Sequence, residues 1–225
     1  MISGVQCIAF ILDGNRRWAK EKGLPTLLGH KAGFERLEEC VRLVRDRGIR
    51  HLVAYVFSTE NWNREKVEVD YLLDLYREVA NDKFERLLQE GVALRFIGKR
   101  DLLPKDLQES MRTIEAKNIA RPKITVWLCI SYGARAEIAA AAKDAAASGE
   151  EITEESLRKH FWSADMPDPD IIVRTGGEER LSNFLLWQAA YSELFFVKQY
   201  WPDFSEKLLD EILAEYASRQ RRHGK

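Results

Sequence analysis

A single α/β domain, with a mostly parallel six-stranded sheet and helices on both faces, is the fold class predicted by this sequence. Three observations lead there. Short, continuous apolar runs recur along the 225 residues, as strands buried on both faces require. Segments with apolar residues at helical spacing separate those runs. Polar, glycine-containing turns follow several of the runs, where a strand hands over to a helix.

The elements follow in order. Residues 8–12 form the first apolar run, which stops at Asp13-Gly14-Asn15, and residues 16–22 suit a helix. Leu24-Pro25 breaks the chain. The segment Gly29-His30-Lys31-Ala32-Gly33 then leads into a helix over 34–44, with Phe34, Leu37, Val41 and Val44 on one face and Gly48 at its end. Residues 49–57 make the second strand, bordered by the polar stretch from Ser58 to Arg64. A long amphipathic helix is predicted over 65–89, carrying Val69, Leu72, Leu73, Leu75, Tyr76, Val79 and Phe84, with Gly91 as its stop. Strands at 92–97 and 124–130 flank a helix at 104–117. The alanine-rich stretch 134–147 reads as a well-packed helix, and a short one follows at 154–161. Strands at 170–173 and 193–197 and a last helix over 205–221 complete the pattern. No internal repeat interrupts it, so residues 1–225 read as one domain.

Composition narrows the function. The chain is 45% hydrophobic and 32% charged, which describes a globular protein, not a disordered one. A net charge of −1 gives no global field to recruit nucleic acid, so no nucleic-acid partner is expected. Three dispersed cysteines (Cys7, Cys40, Cys129), without a CxxC pair, exclude a disulfide framework and suit a reducing cytoplasm. No leader pattern and no run of membrane-spanning length is visible, so membrane contact, where it occurs, is peripheral.

In a parallel sheet the carboxyl ends of the strands share one edge, and ligands bind there. The polar clusters at 13–17, 58–64, 131–135 and 174–182 are therefore expected to converge on one cleft. Arg17, Arg64, Arg174 and Arg180 would stand beside Asp13 and Glu193, with Ser58, Asn61 and Ser182 as neutral partners. Several arginines facing a pair of acids fit a polyphosphate bridged by a divalent cation. Neither GxxxxGK[ST] nor GxGxxG occurs, which argues against ordinary nucleotide binding. The helices at 34–44 and 65–89 carry more apolar residues than one sheet face needs. With Val53, Tyr55, Phe57, Val126 and Leu128 they fit either an ordinary core or the walls of an elongated hydrophobic cavity.

Several blocks then become recognisable. Asp13-Gly14-Asn15-Arg16-Arg17-Trp18-Ala19-Lys20, Gly29-His30-Lys31-Ala32-Gly33 and Phe57-Ser58-Thr59-Glu60-Asn61-Trp62 resemble signature blocks of the cis-prenyltransferase (undecaprenyl diphosphate synthase) family. So do Arg174-Thr175-Gly176-Gly177-Glu178, the stretch from Arg180 to Gln188, and Trp201-Pro202-Asp203-Phe204. The match covers nearly the whole chain, in the family's order. It implies a homodimeric α/β fold with a hydrophobic tunnel between sheet and helices. It also implies Mg²⁺-dependent, repeated addition of isopentenyl diphosphate to an allylic diphosphate primer, farnesyl or geranyl diphosphate. The product is a cis-polyprenyl diphosphate, and diphosphate is released.

Position by position, the resemblance makes Asp13 the acid that manages the allylic diphosphate and its metal, with Glu193 as a second metal-linked acid. Gly14, Asn15, Arg16, Arg17, Trp18 and His30 fall on the allylic diphosphate side. Ser58, Trp62 and Arg64 are further substrate-binding positions, and Arg174, Arg180 and Ser182 grip isopentenyl diphosphate. Asn61 is the position that assists proton loss from the condensing unit. The alternative is a non-catalytic partner subunit of the same fold. Such subunits lose the acid and arginines of the first turn, which Asp13 and Arg17 retain here.

The chain departs from the family pattern at Cys7, Thr26, Ser131, Ala134 and Glu179. Val56 and Trp127 are bulky where long-chain relatives carry smaller residues, which implies shorter products. Strand alternation lets only one of Tyr55 and Val56 face a tunnel. The basic run at 219–222 is either a solvated tail or an arm reaching a partner's diphosphate site.

Overall fold

Six strands pair into one sheet in which every pairing is parallel, in the order β3-β4-β2-β1-β5-β6. The strands are β1 (Cys7–Ile11), β2 (His51–Ser58), β3 (Val92–Ile97), β4 (Ile124–Tyr132), β5 (Ile171–Arg174) and β6 (Glu193–Phe196). The computed structural model describes residues 4–78 and 84–219. All five residues of β1 are buried, as expected for a central strand covered on both faces. The chain leaves β1 toward β2 on one side, whereas β5 pairs on the other. The crevice between the carboxyl ends of β1 and β5 is thus a switch point, the usual ligand position in an open parallel sheet.

The helices are α1 (Asn15–Glu21), α2 (Thr26–Asp46), α3 (Lys66–Glu78), α4 (Phe84–Gln89), α5 (Lys105–Ala116), α6 (Ala134–Ser148), α7 (Glu154–Lys159) and α8 (Glu206–Ser218). One sheet face packs Ile8, Phe10, Leu52 and Leu94 against Val41 and Val44 of α2, Leu73 of α3, Leu107 of α5 and Leu209 of α8. The other packs Cys7, Ala9, Val53, Trp127 and Cys129 against Met166, Phe184 and Leu185. Ala141, Leu157 and Phe161 form a satellite core between α6 and α7.

One expectation changes. The helix placed at 34–44 begins at Thr26, so Gly29 and Gly33 lie inside it. Glycine costs roughly 1 kcal/mol in a helix interior, and close packing explains its presence. A Cβ on Gly29 would stand 2.1 Å from the Asn15 carbonyl oxygen, and one on Gly33 2.4 Å from Asn15 Oδ1. The two glycines let α2 lie directly against the start of α1. The helix expected over 65–89 corresponds to α3 and α4; Val79 and the Phe84 side chain lie outside the described residues, as do residues 220–222 of the basic run. Among the described residues, no helix is long and apolar enough to cross a membrane.

Candidate active site

The strand–turn–helix at the end of β1 builds the centre of the site. Asp13 follows the strand, and two backbone contacts fix its peptide. Its carbonyl accepts from Thr175 Oγ1 at 2.7 Å and from the Trp201 N–H at 3.0 Å. Its carboxylate points between two arginines. Arg17 Nη2 donates to Oδ1 at 3.1 Å and Arg174 Nη2 to Oδ2 at 2.9 Å. Arg17 also donates to the Gly176 carbonyl at 2.8 Å. Gly176, at φ 87°, permits this approach, because a Cβ there would meet Arg17 Nη2 at 2.6 Å. Arg174 is almost fully buried, donates to Ser182 Oγ at 2.8 Å and to the Arg180 carbonyl at 2.5 Å, and keeps a buried Nε without a partner among the described residues.

A second cluster closes the mouth from the helix side. His30 Nε2 lies 3.0 Å from Glu68 Oε1, Arg64 Nη1 donates to the same oxygen at 2.8 Å, and Arg16 Nη1 stands 3.7 Å from Glu68 Oε2. Burial lowers the pKa of His30 from its ordinary value against the opposing pull of Glu68, so its neutral form is favoured. On the 3₁₀ turn Thr59–Asn63, Asn61 Oδ1 accepts from the Ser58 N–H at 3.0 Å. Burial opposes ionisation of Glu60, but hydrogen bonds from Asn183 and its own turn win and lower its pKa.

Between these clusters a cavity of about 1150 Å³ opens. Asp13, Gly14, Asn15, Arg16, Arg17, His30, Ser58, Asn61, Arg64, Arg174 and Ser182 reach its lining. Its apolar wall comes from Leu24, Phe34, Leu37, Leu72, Leu75 and Tyr76, with Tyr55 and Val56 from β2. The volume exceeds the roughly 300–1,000 Å³ of ordinary small-molecule pockets.

Several expected placements are corrected. Glu193 opens β6 opposite Ile171 and so lies at the amino edge of the sheet, whereas Asp13 follows Ile11, which pairs with Arg174 at the other end. Within one chain Glu193 therefore does not stand beside Asp13; it pairs with Arg219 Nη1 at 2.6 Å. Trp18 turns away and donates from Nε1 to Asp203 at 2.8 Å. Trp62 packs edge-on to Phe57 and donates to Ser131 Oγ at 2.9 Å. Neither tryptophan lines the cavity, and the Ser131–Arg135 cluster is likewise outside it. Arg180 is also outside the lining, with its side chain 59% exposed and paired to Glu178.

Val53 and Trp127 belong to the opposite sheet face, where Trp127 Nε1 meets His51 Nδ1 at 3.2 Å. Phe57, Val126 and Leu128 are core residues of the first face. Tyr55 and Val56 both line the cavity, although alternation allows one. Alternation nevertheless holds between them: Tyr55 stacks on Phe184 on the second face and Val56 packs on the first. The β2–β4 register shift beyond Tyr55 leaves Phe57 on the same face as Val56.

Three contributors were not anticipated. Glu68 collects His30, Arg64 and Arg16; its place in the first turn of α3, four residues after Arg64, was the available signal. Glu178 bridges Arg17 and Arg180. The Tyr76 hydroxyl donates to the Val56 carbonyl at 3.0 Å, a hydroxyl on an otherwise apolar stripe.

A carboxylate held between two arginines, in a large cavity with one apolar wall at the carboxyl edge of a parallel sheet, has the elements to take an apolar chain bearing a phosphorylated head. That is the site type of the α/β prenyltransferases. The Prenyltransf family model, that of undecaprenyl diphosphate synthase, matches residues 11–224. The chain is 42% identical over 224 residues to the isoprenyl transferase of Thermotoga maritima, covering 97% of this chain and 96% of that one. It is 43% identical to the isoprenyl transferase of Agrobacterium fabrum, covering 96% and 91%. Lavandulyl diphosphate synthase from Lavandula x intermedia, solved with dimethylallyl diphosphate, superposes with a TM-score of 0.93 at 32% identity, covering 98% of both chains. A probable undecaprenyl diphosphate synthase from Campylobacter jejuni gives 0.84 at 32% identity, covering 99% and 100%. The chain belongs to the undecaprenyl diphosphate synthase family of prenyltransferases.

Proposed function

We propose that the protein condenses isopentenyl diphosphate repeatedly onto an allylic diphosphate primer, such as farnesyl or geranyl diphosphate, to give a cis-polyprenyl diphosphate. The observation that carries this reading is the junction of the Asp13–Arg17–Arg174 cluster with the apolar cavity. In each cycle the allylic C–O bond breaks, the isopentenyl double bond attacks the freed carbon, and a proton leaves the condensed unit for a diphosphate oxygen. Arg16, Arg17, His30 and the backbone around Gly14 and Asn15 hold the allylic diphosphate, and donors aimed at the departing oxygens stabilise the charge that builds there. Arg174 and Ser182 hold isopentenyl diphosphate from the cavity wall, Arg180 joins them on turning from Glu178, and Ser58 and Asn61 orient the carbon end for proton loss. Arg64, paired with Glu68 beside His30, stands with the allylic group.

Mg²⁺ is the ion the family implies. Among the described residues no group of three or more His, Cys, Asp or Glu side chains is placed to hold a metal unaided. Asp13 fits an ion that keeps waters and takes its other ligands from substrate phosphates, as Mg²⁺ does. When bound, it would neutralise charge on the leaving diphosphate.

Each isoprene unit adds five carbons, so burial in the cavity favours the growing chain by up to roughly 4 kcal/mol per cycle, at about 0.8 kcal/mol per CH₂-sized group. Cavity size rather than affinity then ends elongation. The reading includes a cytoplasmic homodimer whose membrane contact comes through its lipid product.

The test is incubation of purified protein with Mg²⁺, labelled isopentenyl diphosphate and either geranyl or farnesyl diphosphate, with products sized by mass spectrometry. A ladder of products spaced by one isoprene unit is expected. No Mg²⁺-dependent incorporation from either primer refutes the reading and favours the non-catalytic partner subunit.

A further inference from the structure

The loop after Arg180 holds three non-glycine residues in left-handed backbone within four positions: Ser182 (φ 50°), Asn183 (φ 66°) and Leu185 (φ 43°). Such residues are strained and persist only where their surroundings over-determine them. Asn183 supplies much of that determination. Its carbonyl accepts from the Ala134 N–H at 2.8 Å, and its Oδ1 accepts from the Arg135 N–H at 2.9 Å, both in the first turn of α6. Its Nδ2 donates to Glu60 Oε1 at 2.9 Å. Glu60 sits on the 3₁₀ turn that carries Asn61, and Ser182, which Arg174 grips, immediately precedes Asn183. One amide therefore ties together two walls of the cavity that are 123 residues apart in the chain.

We infer that Asn183 and Glu60 form a positioning pair that holds Ser182 and Arg174 in register with Asn61 around isopentenyl diphosphate. The inference rests on the function proposed above, which gives these three residues to that substrate. Asn183 and Glu60 act through their neighbours. Glu60 serves as a hydrogen-bond acceptor for the amide and not as the base that removes the proton. Of the two polar walls, the one holding isopentenyl diphosphate depends on this bridge directly. The allylic side is fixed also by Glu68 and by the α1–α2 contact and meets the bridge only through the Arg174–Asp13 pair.

The bridge has a direction that a swap can reverse. Asn183→Asp removes the donor and sets two carboxylates face to face. Adding Glu60→Gln restores one hydrogen bond with donor and acceptor exchanged. Steady-state kinetics with labelled isopentenyl diphosphate should show the KM for that substrate raised about tenfold in Asn183→Asp, the ratio that corresponds to about 1.4 kcal/mol. The primer KM should change much less. The double variant should recover to within about threefold of wild type, since coupled neighbours are not additive. Circular dichroism and melting curves establish that each variant is folded. Should Asn183→Asp fail to fold, Glu60→Ala removes the same bridge from the exposed turn and should give the same split between the two KM values.

Calorimetric titration of isopentenyl diphosphate without primer onto the same variants reads the site without turnover and should follow the same order. A wild type that binds isopentenyl diphosphate but incorporates none of it would sink the proposed activity while leaving the bridge testable by that titration. An unchanged KM in the single variants, equal rises for both substrates, or no recovery in the double variant overturns the pairing. The last result would also be expected if Glu60 were the base.

Discussion

Replacing Asp13 separates its structural duty from its chemical one, and the geometry sets the size of each. The Arg174 side chain is 5% exposed and donates to Asp13 Oδ2 at 2.9 Å. Asp13→Ala therefore leaves a buried guanidinium without its anion. Removing one partner of a fully buried pair costs about 3–5 kcal/mol. Here the Asp13 side chain is 30% exposed, and Arg174 keeps Ser182 and the Arg180 carbonyl as acceptors. Water access and those two bonds reduce the expected loss to about 1–3 kcal/mol. At about 2–4 °C per kcal/mol for a chain of this size, the melting temperature should fall by about 2–12 °C.

Asp13→Asn keeps the shape and one acceptor oxygen, so its melting temperature should drop by less. Turnover behaves differently, because both variants lose the negative charge that would hold the metal-linked diphosphate. Incorporation of labelled isopentenyl diphosphate should fall about 10²–10³-fold in each, the range seen when a group that stabilises transition-state charge is removed. Two results would refute this reasoning. Retention of more than about a tenth of wild-type turnover by Asp13→Asn would remove Asp13 from the chemistry. A melting temperature for Asp13→Ala equal to wild type would mean that the Arg174 pair contributes nothing to stability.

Arg174→Lys keeps the charge but loses the planar fork that serves Asp13, Ser182 and the Arg180 carbonyl together. It should raise the KM for isopentenyl diphosphate and also lower the melting temperature. Arg180→Lys, at an exposed position, should raise that KM alone, and an equal rise in primer KM in both variants would show that the two diphosphate sites are shared. His30 is held below its ordinary pKa chiefly by burial, so the folded state prefers the neutral ring. Its contribution to stability is present above the unfolded value of about 6.5 and is lost as pH falls through the lower folded value. The difference in melting temperature between wild type and His30→Gln should therefore change in that direction between about pH 7.5 and pH 5.5; a constant difference refutes the coupling. Val56→Ala should lengthen the products by one or more isoprene units, because overfilling an apolar channel costs about 1–3 kcal/mol against the roughly 4 kcal/mol gained per unit. Mass spectrometry showing an unchanged distribution would mean that Val56 is not a stop.

The strands were legible because a sheet covered on both faces leaves continuous apolar runs, and residues 92–97 show this with agreement at both ends. The first turn was legible because a strand, a turn and a helix start follow one another in the sequence there, although Thr175, Gly176 and Trp201 fix how Asp13 and Arg17 meet. The start of α2 was not. Gly29 and Gly33 read as breakers in isolation, and only the nearness of Asn15 explains why a helix tolerates them. The shared face of Val56 and Phe57 was hidden likewise, since period-2 alternation holds only while the ladder register holds, and it shifts at that point.

Glu193 shows how a resemblance and a sheet's polarity must be weighed together. The residue opens a strand, so in an all-parallel sheet it belongs to the amino edge, which the predicted limits of 193–197 already imply. Grouping it with the carboxyl-end clusters treated a strand start as a strand end. The register makes the separation concrete: Glu193 pairs with Ile171, and Arg174, which touches Asp13, lies three residues further along β5. At about 3.3 Å per residue that is roughly 10 Å along the strands, too far for both acids of one chain to share an ion. Glu193 instead holds Arg219, whose guanidinium lies over the Phe195 ring at 4.1 Å from its centroid. Within one chain this glutamate anchors the end of α8 to the sheet edge, and Asp13 is the acid that the end of β1 sets between Arg17 and Arg174 in the switch-point crevice.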